Sequence, residues 1–137
     1  MGTGMQEQAG AVEVTGVDFV RVPVADLDRA RAFYGEVLGL EASSVWQRDG
    51  QPALGAEFET GTVTLALMDV AATGREYSAG AGAIALRVND VAATRERLEA
   101  KGVTFVDGFD SGVCHQAIFL DSEGNTLILH HRYAPKA

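Results

Sequence analysis

The chain has 137 residues, a formal charge of −8 and a sequence pI near 4.7. A chain of this length forms about one domain and can bury roughly two-thirds of its unfolded surface without cross-links. Its acidity argues against a general affinity for nucleic acid or anionic membranes. Cys114 is the only cysteine, so no intramolecular disulfide can form, and we predict a cytoplasmic protein.

The two ends of the chain are predicted to be tails around one domain. No apolar run approaches the roughly 20 residues of a membrane span, and the first residues lack the pattern of a signal peptide. Glycines and a second methionine predict a flexible N-terminal tail over residues 1–13. A short C-terminal tail is predicted over 134–137, which leaves a single domain at 14–133.

The first predicted module covers residues 14–70. It opens with a strand over 17–24, in which three valines alternate with other residues and form one packed face. Asp26 is suited to cap a helix that runs to Leu38, and Gly39 is suited to end it. Three more strands are predicted at 42–47, 53–59 and 62–69.

The second predicted module, residues 83–133, repeats this order after a glycine-bearing crossing at 71–82. Ile84 begins the packed face of its first strand, and Asp90 caps its helix. Ile84 follows Val20, and Asp90 follows Asp26, by the same offset of 64 residues. Later strands are predicted at 103–107, 115–120 and 125–131. A half-length repeat of this kind predicts two similar modules.

Two segments carry the most specific sequence signals. They are Asp26-Leu-Asp-Arg-Ala-Arg-Ala-Phe-Tyr-Gly-Glu-Val-Leu-Gly-Leu40 and Phe119-Leu-Asp-Ser-Glu-Gly-Asn-Thr-Leu127. With the repeat, they resemble the vicinal oxygen chelate superfamily of glyoxalases, bleomycin-resistance proteins and extradiol dioxygenases, over residues 17–133. The resemblance implies an α+β fold in which two paired βαβββ modules form a curved mixed sheet around a cavity, with helices on the outside. It also implies a homodimer, in some members with exchanged modules.

The resemblance also assigns positions to metal ligands. The first-strand position, usually histidine, falls on Phe19 and on Ala83 in the second module, and the last-strand position falls on Ala66 and Ile128. A divalent ion needs several oxygen or imidazole donors at about 2.0–2.3 Å, and these four side chains supply none. We therefore expect no metal and no cofactor.

Strand alternation extends this lining, since residues two apart share a face. Trp46 is added because it could reach the cavity mouth, although the sequence does not fix its orientation. The predicted ligand-binding residues are Phe19, Arg21, Trp46, Ala66, Met68, Ala83, Arg87, Gln116, Ile118, Ile128 and His130. An apolar and aromatic lining with few polar groups is typical of sites for drug-sized organic molecules. An arginine there favours an anionic oxygen on the ligand.

Two of these residues also have plainer interpretations. Arg21 could pair with Glu57, Glu59 or another acid at the sheet surface, because most arginines are exposed. His130 could act as a general base or simply end a strand. Both residues are candidates for acid–base catalysis, and both alternatives stay open at this point.

A relocated metal site is the other alternative that the sequence leaves open. It would combine His115, His130 and an acid such as Glu57, although no short-range ligand signature is present. Alternation puts His115 on the face opposite Gln116, so packing is the simpler expectation for it. Cys114 is expected to be a small buried residue rather than a nucleophile.

Two classes of function follow. The first is a metal-free binding or sequestration protein, similar in idea to the bleomycin-resistance proteins, that encloses an aromatic or anionic organic molecule. The alternative is an enzyme of the same superfamily, a lyase, isomerase or dioxygenase, that uses Arg21 and His130 or the relocated metal. The expected partners are a small organic molecule and a second copy of the chain, with no nucleic acid and no membrane.

Overall fold

The computed structural model describes residues 12–80 and 82–135, so most of the two predicted tails lies outside the described residues. In chain order the elements are β1 (Phe19–Val24), α1 (Leu27–Ala32) with a π-helical turn (Phe33–Val37), β2 (Glu41–Gln47), β3 (Ala53–Glu59), β4 (Thr64–Asp69), a 3₁₀ turn (Ala71–Thr73), β5 (Ala83–Arg87), α2 (Val91–Ala100), β6 (Phe105–Asp110), β7 (Cys114–Leu120) and β8 (Thr126–Arg132). None of the described helices is long and apolar enough to cross a membrane.

Each module forms one four-stranded mixed sheet, with strand orders β1-β4-β3-β2 and β5-β8-β7-β6. The first strand of each module runs parallel to its last strand, and the other pairs are antiparallel. The predicted α+β fold of two paired βαβββ modules is therefore confirmed. The two sheets do not close on each other, and within the described chain β1 and β5 are edge strands that are paired on one side only.

Helix α1 covers the valine face of the first sheet, as the periodicity predicts. Val22 and Val24 are buried on this face and Ala30 is buried on the helix. Asp26 caps the helix, since its Oδ1 accepts a hydrogen bond from the backbone amide of Arg29 at 3.0 Å. The apolar spacing and the cap together fix which side of β1 packs on the helix.

The second half of this helix differs from the regular α-helix predicted to Leu38. The backbone widens into the π-helical turn Phe33–Val37, in which Leu38 N donates to Phe33 O at 2.9 Å. Tyr34 in this turn is fully buried. Gly39 then ends the helical segment with a φ of 73°, the left-handed conformation that favours glycine.

Strand β6 begins and ends later than the predicted 103–107. Val103 is buried ahead of the strand, and the pairing with β7 continues to Phe109 opposite Gln116 and Asp110 opposite His115. The pair Asp107-Gly108 has the composition of a turn, but hydrogen bonding to β7 keeps it extended. Tertiary pairing therefore overrides the local turn signal.

Residues 121–125 of the second module, which we call the bridging turn, form hydrogen bonds to the first module. The carboxylate of Glu123 has no exposed side-chain surface and accepts hydrogen bonds from the backbone amides of Ala25 and Asp26, both at 2.9 Å. Arg29 adds bonds from Nε at 2.7 Å and from Nη2 at 3.0 Å. Burial alone would raise the pKa of Glu123, but these donors favour the charged form and lower its pKa to about 2.

Two other residues of the bridging turn also reach the first module. Tyr34 donates to Oδ2 of Asp121 at 2.6 Å, and burial together with that nearby charge raises the pKa of Tyr34. Asn125 donates from Nδ2 to Pro23 O at 2.8 Å and accepts from Gly80 N at 2.8 Å. The turn therefore binds β1, α1 and the crossing at the same time.

Candidate functional site

Each sheet carries its helix on one side, and we call the other side its helix-free face. In the first sheet the strand register places Arg21 beside Ala66, and Ala66 beside Glu57. The next row on this face runs through Pro23, Met68, Gly55 and Trp46. Phe19 lies two residues before Arg21 and is 45% exposed. Every residue of the first module that the sequence assigns to ligand binding is therefore on one face of the sheet, although Ala66 is fully buried there.

Trp46 is held flat against this surface. Its indole Nε1 donates to Oε2 of Glu57 at 2.8 Å. A Cβ atom on Gly55 would lie 2.5 Å from Cε3 of Trp46 and 2.5 Å from the carbonyl oxygen of Leu67, so only glycine leaves room for the ring. The strand backbone and the Glu57 carboxylate together fix the orientation of the indole.

Arg21 is exposed and lies between two aromatic rings. Its guanidinium carbon is 5.8 Å from the centre of the Trp46 ring and 5.9 Å from that of Phe19. Both distances are within the range of cation–π attraction. Among the described residues no carboxylate forms an ion pair with it.

The acids that were candidate partners of Arg21 have other donors. Glu57 accepts from Trp46, and Glu59 accepts from Ser43 Oγ at 2.5 Å and from Thr64 Oγ1 at 2.7 Å. These bonds, that from Ser43 most of all, lower the pKa of Glu59. Within the described residues Arg21 is therefore exposed without an ion pair to Glu57 or Glu59, and its pairing with another acid stays a prediction.

A pocket of about 430 Å³ opens beside Arg21, at the end of the surface that faces the crossing between modules. Its walls include Arg21, Pro23, Met68, Val70, Arg75 and Glu76. Two arginines and one acid thus border a pocket whose lining is mixed polar and apolar. Arg75 belongs to the crossing, which brings a second cation to the first module's site.

The helix-free face of the second sheet has a matching layout with different chemistry. One row runs through Arg87, His130, Gln116 and Phe109, and the next through Ala85, Ile128 and Ile118, with Ala83 at the start of β5. Ala83 and Arg87 are exposed, whereas Gln116, Ile118, Ile128 and His130 are half-buried. The 64-residue offset relates Arg87 to Pro23 and Ala85 to Arg21. The arginine of the second module, Arg87, therefore lies one row of the strand register further along its strand than Arg21 does.

Arg87 also borders a cavity of about 510 Å³ between the modules on the helix side. Apolar residues from both modules form most of that cavity, among them Leu38, Leu40 and Leu98. Arg87 is thus a rim residue shared by two surfaces.

The Glyoxalase/Bleomycin resistance protein/Dioxygenase superfamily profile matches residues 16–129. The chain belongs to this superfamily. The match covers both modules and ends within β8. No curated protein has a significant sequence match to the chain.

Solved structures of the superfamily share this fold. TnmS3, an antibiotic binding protein from Streptomyces sp. CB03234, is 25% identical, with a TM-score of 0.73 over 89% of this chain and 99% of its own. A glyoxalase/bleomycin resistance protein from the same organism is 26% identical, with a TM-score of 0.67 over 85% of this chain and all of its own. A lactoylglutathione lyase from Agrobacterium tumefaciens, 22% identical with a TM-score of 0.68 over 85% of this chain and 93% of its own, shares the fold alone.

The superfamily's metal positions do not fit a metal ion in this chain. They carry Phe19 and Ala66 in the first module and Ala83 and Ile128 in the second, and none of these side chains has a donor atom. In the described ranges no three histidine, cysteine, aspartate or glutamate side chains are grouped so as to hold a metal. Chemistry through the usual metal positions therefore has no ligands here.

The relocated metal site is not assembled within the chain either. His115 pairs across the strands with His131, whereas His130 pairs with Gln116, so His115 and His130 project from opposite faces. The Nε2 atom of His115 is 3.4 Å from Oδ2 of Asp110 on the helix side of the sheet. Glu57, the third candidate ligand, lies in the other sheet.

Sequence reasoning missed two residues of the first module's site. Gly55 is required beneath Trp46, and an isolated glycine inside a strand is a recognisable signal of close approach. Arg75 gave no such signal, because its place beside Arg21 depends on how the crossing folds back. Cys114 is buried, as expected.

Proposed function

We propose that the chain is a metal-free binding or sequestration protein that encloses an aromatic or anionic organic molecule in a largely apolar cavity. The observation that carries this proposal is the substitution pattern of the helix-free faces. Carbon side chains stand at all four metal positions, and Arg21 lies beside Trp46 and Phe19 on the same surface. Such a surface can bind an organic molecule but cannot activate one through a metal.

The enclosure itself requires a second wall. Phe19 on the edge strand β1, Phe109 on the edge strand β6 and Leu120 on the inner strand β7 are each more than 40% exposed. Exposed aromatic groups beside an unpaired edge are typical of association surfaces. We propose a homodimer in which the helix-free face of one module is covered by a module of the partner.

The relatives favour binding over turnover. TnmS3, an antibiotic binding protein, is 25% identical to this chain over 99% of its own length. By analogy, the ligand of this chain would be a toxic or biosynthetic small molecule, and its sequestration a form of antibiotic resistance. The lone buried Cys114 fits a reducing compartment, and we propose a cytoplasmic location.

The enzymatic alternative lacks a comparable observation. Arg21 and His130, its two candidate catalytic groups, lie in different sheets. Only a second chain could bring them to one ligand.

The test measures metal content, oligomeric mass and ligand binding on the untagged protein. We expect less than about one-tenth of a metal ion per chain by elemental analysis, a dimer by native mass spectrometry, and thermal stabilisation by members of a panel of aromatic acids, glutathione conjugates and peptide antibiotics. Stoichiometric zinc, iron, nickel or manganese that is lost with chelator and lowers the melting temperature would contradict the metal-free state. Conversion of a bound panel member into product would establish the enzyme instead.

A further inference from the structure

We infer that the helix-free face of the first module contains a subsite for a flat aromatic ring that carries an anionic oxygen, with Trp46 as the stacking surface and Arg21 as the anion contact. This inference rests on the proposed binding function and names the chemical class of the ligand. It concerns a single module, so it can be tested residue by residue.

The stacking surface is preorganised. Trp46 lies on the strand where Gly55 has no side chain, and its indole N–H is already bonded to Glu57. A side chain that is fixed in this way loses little conformational freedom when a ligand arrives, so more of the contact energy appears as affinity. Trp46 is half-buried, and the part of its ring that Arg21 does not cover can meet another ring in an offset stack.

The anion contact is charged and unopposed. The guanidinium carbon of Arg21 is 5.8 Å from the centre of the Trp46 ring and 5.9 Å from that of Phe19, and no ion-pair partner is found for it in the described part of the chain. Arg75 borders the same pocket, with Glu76 as the acid there. A guanidinium held beside aromatic rings keeps its N–H groups free for a carboxylate or phenolate.

The same contacts disfavour a cationic ligand. The nearest carboxylate on this face, Glu57, already accepts the Trp46 hydrogen bond at 2.8 Å. A cation placed over Trp46 would also meet the like charge of Arg21. The chain as a whole is acidic, so the local pair of arginines rather than the net charge selects the ligand.

The experiment compares three probes by isothermal titration calorimetry. They are 2-naphthoate, which has the ring and the charge, 2-naphthamide, which has the ring alone, and cyclohexanecarboxylate, which has the charge alone. Trp46 is the only tryptophan of the chain, so quenching of its fluorescence reports on this subsite. We expect 2-naphthoate to bind about tenfold more tightly than either of the others, since each missing contact removes about one decade of affinity.

Two variants remove the anion contact and the stacking contact separately. Arg21→Met should weaken 2-naphthoate about tenfold and leave 2-naphthamide within about twofold. Trp46→Leu should weaken both naphthyl probes and leave cyclohexanecarboxylate unchanged. Arg48→Met removes the same charge from an exposed position after β2 and should change nothing.

Each contrary result has a distinct meaning. Equal affinity for 2-naphthoate and 2-naphthamide, or an Arg21→Met variant that binds 2-naphthoate normally, overturns the subsite while other panel ligands still bind and support the broader function. Absence of binding by every probe and every panel member overturns both proposals. Binding of 2-naphthoate without quenching of Trp46 places the ligand elsewhere and also overturns the subsite.

Discussion

The phenolic oxygen of Tyr34 lies 2.6 Å from Oδ2 of Asp121, so a helical turn of the first module is hydrogen-bonded to a turn of the second. Both residues are buried. Tyr34→Phe would leave Asp121 without this donor in a place that water does not reach. We expect a loss of about 1.5–3 kcal/mol in the free energy of unfolding, the usual range for a buried bond to a charged group. Urea unfolding followed by circular dichroism measures it.

Tyr133→Phe is the matched control. Tyr133 also donates to an aspartate at 2.6 Å, Asp110, but it is 46% exposed and water can replace the bond. Its removal should cost less than about 0.5 kcal/mol. Equal losses in the two variants would show that burial of the Tyr34 bond adds nothing.

Glu123→Gln tests the charge of the bridging turn. The folded pKa of Glu123 is lowered from 4.5 to about 2, so its carboxylate stabilises the fold fully above about pH 4.5 and loses this effect as the pH falls toward 2. We expect the variant to be less stable by about 3 kcal/mol at pH 7. The difference in the free energy of unfolding between variant and parent, measured by urea unfolding, should become smaller as the pH falls from 5 to 2.5.

Glu96→Gln is the control for the pH dependence of stability in Glu123→Gln. Glu96 is exposed on α2, and its substitution should leave both the stability and its pH dependence near those of the parent. If the stability difference between Glu123→Gln and the parent stays constant down to pH 2.5, the lowered pKa of Glu123 is not the cause of that difference.

Gly55→Ala tests the support beneath Trp46. The added methyl group would lie 2.5 Å from both the indole and the Leu67 carbonyl oxygen, and the latter belongs to the backbone. We expect about 1–3 kcal/mol of destabilisation from overpacking, with a red shift of tryptophan emission as the ring is displaced toward water. Gly82→Ala, where no atom lies within 4 Å of the new methyl group, should leave emission and stability unchanged. An unshifted emission in Gly55→Ala would mean that the ring does not rest on this strand.

Phe19→Asp tests the proposed dimer. A carboxylate at this exposed position beside the β1 edge would be buried without a partner in the assembly, at a cost of several kcal/mol. We expect sedimentation velocity to show a dimer for the parent and a monomer for the variant. Val45→Asp alters an equally exposed residue, 42%, on the far edge strand β2, and should remain a dimer. A parent protein that sediments as a monomer contradicts the proposed second wall.

Much of the fold follows from periodicity alone. The valines of β1, the caps at Asp26 and Asp90 and the 64-residue offset fix the elements and the face that each strand buries. These features depend on neighbouring residues in the sequence, so they can be predicted without knowledge of distant contacts. The late start of β6 and the π-helical turn depend on pairing and packing with distant residues, which explains why the sequence did not predict them.

The site follows from the sequence only in part. Alternation correctly puts Arg21, Ala66 and Met68 on one face, because register along a strand is a property of the strand. That Arg21 forms no ion pair with the described acids was not predictable, since it depends on the hydrogen bonds that Glu57 accepts from Trp46 and Glu59 accepts from Thr64. The role of the bridging turn was also hidden, because Asp, Glu and Asn in a turn are usually solvated.

The partners of the bridging turn are separated by up to 102 residues along the chain. During synthesis the backbone amides of Ala25 and Asp26 therefore lack this acceptor until Glu123 has been added, 98 and 97 residues later. We expect a ribosome-bound nascent chain that stops before this turn to remain sensitive to protease, and release of the full length to make it resistant in one step. The first module, which carries Arg21 and Trp46, therefore completes its hydrogen bonds only after the bridging turn of the second module has been synthesised.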